Sequence, residues 1–201
     1  MLIVEDQTMH ETSRSKRLKA ATNEMHEALD KRIMQSNPFS SREHYGRFLK
    51  VQHRFHRDID ALYANLVLDR LLPDLNDRRR LNLIVQDLAD LGMSAPESNR
   101  APVFVPNTQA DIPTALGWLY VAEGSNLGAA FLLKEAIKLG LDENSGARHL
   151  APHPSGRGLH WRTFTASLDS LTLNDDEEQR VVAGAKAAFR AVHGAAEEHL
   201  V

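Results

Sequence analysis

Residues 111–140 read DIPTALGWLYVAEGSNLGAAFLLKEAIKLG, a single long apolar helix that carries its own breakers. Pro113 falls in the first turn, where a missing N–H is harmless, but Gly117, Gly124 and Gly128 lie in the interior. Each interior glycine costs roughly 1 kcal/mol relative to alanine, so the three together weaken the helix by about 3 kcal/mol. At about 100° per residue they fall within about 40° of one another and form one bare stripe of backbone. Two physical causes fit such a stripe: close packing of a second helix, or close approach of a flat ligand. A membrane span does not fit, because Glu123, Ser125, Asn126, Lys134 and Glu135 interrupt the roughly 20 apolar residues it needs.

Working outward, the rest of the chain is also helical. Residues 1–12 read as a polar leader, and a first helix runs from Ser13 to Met34 with Leu18, Ala21, Thr22, Met25, Leu29 and Ile33 along its buried stripe. Ser40 with Glu43 three later predicts a capping box that opens a second helix extending to Leu66. A helical turn over Val67–Leu72 follows. Asn76 or Asp77 is expected to cap the next helix, which stops at Gly92. Residues 93–110 hold three prolines and form an irregular link. Val103, Phe104 and Val105, boxed between Pro102 and Pro106, are too few for a strand ladder. Beyond Gly140 we expect a short helix over Asp142–Leu150, a loop, a helix through His160–Leu171, and a last helix opened by the Asn174–Glu177 capping box. The expected fold class is all-α, seven or eight helices, in a single domain over residues 13–201.

Composition narrows the function. The chain has 201 residues and a formal net charge of −3, which disfavours nucleic acid as a partner, and it has no cysteine, which removes thiolate ligands, iron–sulfur clusters and disulfides. The apolar run MLIV is too short for a secretory signal, so a cytoplasmic location is expected. Ten histidines invite a metal hypothesis. His53 and His56 are spaced i, i+3 on a helix, and the simpler reading is a solvated helix face. No Glu-x-x-His or His-Glu-x-x-His motif and no glycine-flanked serine nucleophile occurs.

His26 differs because of its company. Lys19 lies seven residues earlier on nearly the same face, and Asp30 lies one turn later, so one stripe carries a cation, an imidazole and a carboxylate. A carboxylate at i+4 can fix the imidazole tautomer and leave the other ring nitrogen free for a metal. A plain surface His–Asp pair fits the spacing equally.

LKAATNEMHEALD (Leu18–Asp30) together with GWLYVAEGSNLGAAFLLK (Gly117–Lys134) resembles the bacterial haem oxygenases, and helix order and length agree over nearly the whole chain. The resemblance implies haem as both substrate and cofactor, seated between the first helix and a glycine-kinked distal helix. It places the proximal iron ligand at His26, with Asp30 orienting it, and puts Gly124, Ser125 and Gly128 on the catalytic distal side. A macrocycle with a histidine beneath and bare backbone above relates the two oddities of the sequence to each other. Unlike a thiolate, a neutral histidine does not push electrons to split the O–O bond. The implied reaction consumes dioxygen and electrons from a ferredoxin- or NADPH-linked reductase and yields biliverdin, carbon monoxide and iron, in haem catabolism and iron acquisition. Lys19 and Tyr120 are the implied propionate partners, which predicts the α isomer. The protein is expected to be a monomer.

One departure from the family pattern falls on the distal helix. Many relatives carry an aspartate there that anchors distal waters, whereas here Ser125 and Asn126 follow the first distal glycine. Arg80 is a substitute suggested by resemblance, against a reading of Arg78–Arg80 as a solvated basic run. Lys186 and Arg190 are further candidates for the propionates. The competing readings are a haem carrier or sensor on the same fold, and an unrelated helical interaction domain. A carrier would gain from a second strong ligand over the iron, yet no histidine or methionine lies between Gly117 and Lys134.

Overall fold

The computed structural model describes residues 13–201; the leader expected over residues 1–12 lies outside the described residues. Seven α-helices account for most of the described chain: α1 (Arg14–Gln35), α2 (Arg42–Ile59), α3 (Leu66–Leu71), α4 (Leu81–Asp90), α5 (Ile112–Lys138), α6 (Arg157–Ser170) and α7 (Asp175–His199). Short 3-10 turns cover Asp60–Ala64, Asn76–Arg78 and Arg148–Leu150. The described residues contain isolated bridges at Asp142 but no strand, as the all-α expectation requires.

Local chemistry sets the helix boundaries. Asp111 caps α5 by accepting from Thr114 N at 3.0 Å, and both halves of the Asn174–Glu177 box are made, at 3.0 and 2.9 Å. The cap of α2 differs from expectation: Ser41, not Ser40, accepts from His44 N. Ser40 instead donates to Asn37 O, and the Glu43 carboxylate is taken by Arg47, so neither half of the predicted box is available. The second helix also stops short of Leu66. It tightens into the 3-10 turn at Asp60, and Asn65 then accepts from Val67 N and Leu68 N to start α3 separately. Asn76 and Asp77 lie in a 3-10 turn rather than capping α4, whose N-cap position is Arg80.

No α-helix forms over Asp142–Leu150. The Asp142 carboxylate accepts from the amides of Asn144 and Ser145, closing a turn that competes with helix, and only Arg148–Leu150 recoils as 3-10. That turn is entered through Gly140, whose φ of +71° ends α5 and lets Leu141 N bond Ala136 O.

α7 is the central element. α1, α2 and α5 all pack against it, α6 covers α5 and the start of α1, and α4 packs on α2. The α5–α7 approach is the tightest. A Cβ on Gly117 would fall on the Val181 carbonyl and lie 2.5 Å from Ala185 N, and one on Gly184 would fall on Thr114 O, so each glycine admits the other helix's backbone. At one end, buried Arg14 locks three elements together: it pairs with Glu178 of α7 and donates to the Leu168 and Leu171 carbonyls at the end of α6.

Candidate functional site

α1 and α5 are both seated on α7 and are joined by the Tyr120 hydroxyl, which donates to Ser15 O at 3.4 Å. Ser15 is one turn before Lys19, whose side chain is exposed. Farther along α1, the His26 ring is 61% exposed, with Nδ1 3.3 Å from Asp30 Oδ2, and it meets the Phe189 ring of α7 edge to face with centroids 5.9 Å apart. Farther along α5 the surface opens: a Cβ on Gly128 would meet nothing within 4 Å, and one on Gly124 would meet only the Trp161 ring, at 3.6 Å. Leu127 and Phe131, 46% and 52% exposed, flank this segment. An exposed imidazole with one nitrogen held by a carboxylate, an aromatic face beneath it, and a helix presenting bare backbone among apolar side chains suit a flat apolar ligand with a metal at its centre.

One candidate group, Ser125, is turned back into its own helix, where its hydroxyl donates to Ala122 O at 2.7 Å. Arg190 lines a groove between α1 and α7 of about 260 Å³, together with Met25, Ala28, Phe189, His193 and Glu197. Lys186 is half-buried on α7.

Behind the open segment lies a buried polar network of which sequence reasoning had singled out only Arg80. Glu123, directly before Gly124, is 3% exposed and its Oε2 accepts from Arg78 Nη1 at 2.9 Å. Arg78 is itself 1% exposed, donates to His160 O and Pro73 O, and lies 5.5 Å over the Phe164 ring. Arg80 is also buried and donates to His149 O at 2.6 Å. The run Arg78–Arg80 is therefore not a solvated basic face; only Arg79 reaches the surface, where it pairs with Asp60. His53 and His56 are buried as well, so the expectation of a solvated face there is overturned, because their side of α2 packs inward.

Electrostatics keep the histidines of this network neutral. Burial first, then Arg80, holds the His56 imidazole at about 3, and burial with Arg78 holds His160 at about 4. Burial also lowers His149, against the pull of Asp87, whose carboxylate accepts from the His149 ring and from the Arg148 and His149 amides. Burial raises the Glu123 carboxyl despite Arg78. His56 Nδ1, Tyr63 Oη, Arg80 Nε, Glu123 Oε1, His149 Nε2 and His160 Nε2 are all buried without a protein partner. A carboxylate inside the apolar run YVAEGS was the one legible signal, since an unpaired charge does not survive there.

Similarity to known proteins identifies the family. The heme oxygenase family model matches residues 12–198, and the chain belongs to that family. It is accordingly a haem-degrading oxidoreductase with haem as substrate. It is 46% identical over 176 residues to the heme oxygenase PigA of Pseudomonas aeruginosa, covering 88% of this chain and 87% of the relative. Its structure resembles the NO- and CO-bound heme oxygenase of Neisseria meningitidis with a TM-score of 0.87 at 41% identity, over 94% of this chain and 92% of that one. The heme oxygenase of Leptospira interrogans shares the fold, at 21% identity and a TM-score of 0.72, over 93% of this chain and 100% of that one. No helix among the described residues is long and apolar enough to cross a membrane.

Proposed function

We propose that the enzyme opens haem at the α-meso carbon, with His26 as the protein ligand to the substrate iron and the Gly124–Gly128 turn of α5 over the opposite face. The observation that carries the regiochemistry is the bond from Tyr120 to Ser15 O, which brings the phenol within one turn of Lys19 at one end of the α1–α5 pair. A charge-assisted bond from Lys19, and a hydroxyl bond from Tyr120 once its proton turns from Ser15 O to the substrate, would hold the two propionates at that end and so fix the rotation of the macrocycle. Rotation decides which meso carbon faces the glycine turn. Lys186 and Arg190 are farther propionate candidates on α7.

Asp30 serves His26 by holding Nδ1, so that Nε2 is the nitrogen offered to the iron. Gly124 and Gly128 allow backbone to come close, and Ser125, with its hydroxyl turned into its own helix, adds no bulk on that side. Arg80, with its unsatisfied Nε amid buried neutral histidines, replaces an aspartate as the anchor for ordered water and proton supply. Dioxygen and electrons from a ferredoxin- or NADPH-linked reductase complete the reaction, in a monomer of the cytoplasm, where absence of cysteine suits a reducing medium.

Chromatography of the pigment made from haem with a ferredoxin and its reductase tests the reading. Biliverdin IXα as the main product supports it, and a β or δ isomer refutes the seating. Lys19→Asn with Tyr120→Phe should move the product away from α. Stable oxygenated haem surviving repeated reduction would instead indicate a carrier. His26→Ala should lose the histidine-ligated ferric spectrum and regain it with free imidazole; an unchanged spectrum removes His26 from its role.

A further inference from the structure

Between Gly124 and Gly128, α5 is gripped from behind. Arg157, the first residue of α6, donates from Nη1 to the Asn126 carbonyl at 3.0 Å, and its Nη2 donates to Leu150 O. Asn126 lies about 160–200° around the helix from the two glycines, so the guanidinium reaches α5 from the side away from the bare stripe. A carbonyl has two lone pairs and can accept from an arginine while keeping its helical bond. A donor on one side of a helix tilts the carbonyl outward, the usual origin of a bend that is convex on that side.

The guanidinium is itself held rigidly. Its second anchor, Leu150 O, ends the 3-10 turn Arg148–Leu150, whose neighbouring carbonyl, His149 O, takes Arg80. The start of the same turn is fixed by Asp87 of α4, which accepts the Arg148 and His149 amides at 2.9 and 3.0 Å. A carboxylate thus sits at the amide end of the turn and two guanidiniums at its carbonyl end, each complementing the local dipole. Gly156, at φ +85°, turns the chain so that Arg157 enters α6 facing α5. An unbroken series of bonds runs from α4 through this turn to the one stretch of α5 that has no side-chain packing at Gly128.

We propose that Arg157 is a positioning residue for haem cleavage: by holding the Asn126 carbonyl it sets where the Gly124–Gly128 turn stands over the substrate. This rests on the function proposed above for that turn. Arg157 touches neither substrate nor reacting atoms. Its effect is on the placement of backbone, and so on rate and on which meso carbon is exposed, rather than on haem affinity.

The test begins on the haem-free protein, so that it is independent of turnover. In hydrogen exchange, Arg157→Ala should speed exchange of amides 126–132 by about tenfold or more, the loss of one charge-assisted bond to backbone, with amides 113–121 unchanged. Arg157→Lys, which can reach one carbonyl but not bridge two, should fall between. With haem and reductase, Arg157→Ala should lower kcat by about tenfold or yield mixed biliverdin isomers while haem Kd changes by less than about threefold, with Arg157→Lys again intermediate. Exchange at 126–132 equal to wild type in both variants overturns the proposal. So does faster exchange with unchanged kcat and isomer composition, or a loss confined to haem affinity. Should the alanine variant fail to fold, the lysine variant alone decides between the same outcomes. Failure of the wild-type enzyme to make biliverdin would count against the proposed function and leave the exchange result standing.

Discussion

The two halves of α5 carry the same sequence signal for opposite physical reasons. In the first half Gly117 is there because a second backbone occupies the space of its side chain: Val181, Gly184 and Ala185 of α7 are in contact with it, and Gly184 returns the favour at Thr114. In the second half Gly124 meets only a tryptophan ring at ordinary distance and Gly128 meets nothing. One stripe of glycines thus has two halves, one packed against a second backbone and one left open. The first is held by apolar contact and backbone proximity, and the second is held from behind by Arg78–Glu123 and Arg157–Asn126.

Four substitutions separate the two halves of α5 and its surroundings, in order of decreasing effect. Gly117→Ala should cost at least about 4 kcal/mol of unfolding free energy or abolish folding, because the obstruction is backbone that cannot rotate away. A chemical-denaturation midpoint near wild type would mean that the α5–α7 approach is looser than described. Arg78→Met should cost about 3–5 kcal/mol at neutral pH by leaving Glu123 buried without its partner. That deficit should shrink as pH falls, since the raised Glu123 carboxyl takes up a proton in the folded state at a pH where the unfolded chain does not.

Acid should destabilise the fold through its buried histidines. The unfolded chain protonates His56 near 6.5, whereas the folded state does so only at about 3, so the unfolded state binds more protons between those values. Its contribution is complete above pH 6.5 and is lost on descent towards 3, at about 1.4 kcal/mol per pH unit in the middle of that window. His56→Leu should flatten the measured slope of stability against pH there. Gly128→Ala should be the mildest change to stability: with open space for the methyl, it should raise stability by up to about 1 kcal/mol while slowing haem turnover. Raised Tm with unchanged turnover would show that Gly128 is not placed over the substrate.

Much of this was legible in one dimension. Helical periodicity, Asp111 and Pro113 at the start of α5, the Asn174 box and Gly140 as a terminator are local effects, decided within a few residues by capping geometry and backbone freedom. The motifs around His26 and Gly124 were equally readable. Where a side chain had two local partners the reading failed: Ser40 turned to Asn37, and Asp142 closed a turn in place of a helix.

The sequence by itself determined the long helices, with their caps at Asp111 and Asn174, and the His26–Asp30 pair, because each depends on neighbours within about one turn. Only the tertiary structure decided which glycine packs and which stays open, that Arg78, Arg80 and His56 are interior rather than solvated, and that Arg157 holds Asn126. Those outcomes depend on partners 31 to 82 residues away along the chain, such as Asn126 for Arg157 and His160 for Arg78, and a buried charge is stable only where the fold brings its counterpart within hydrogen-bonding distance.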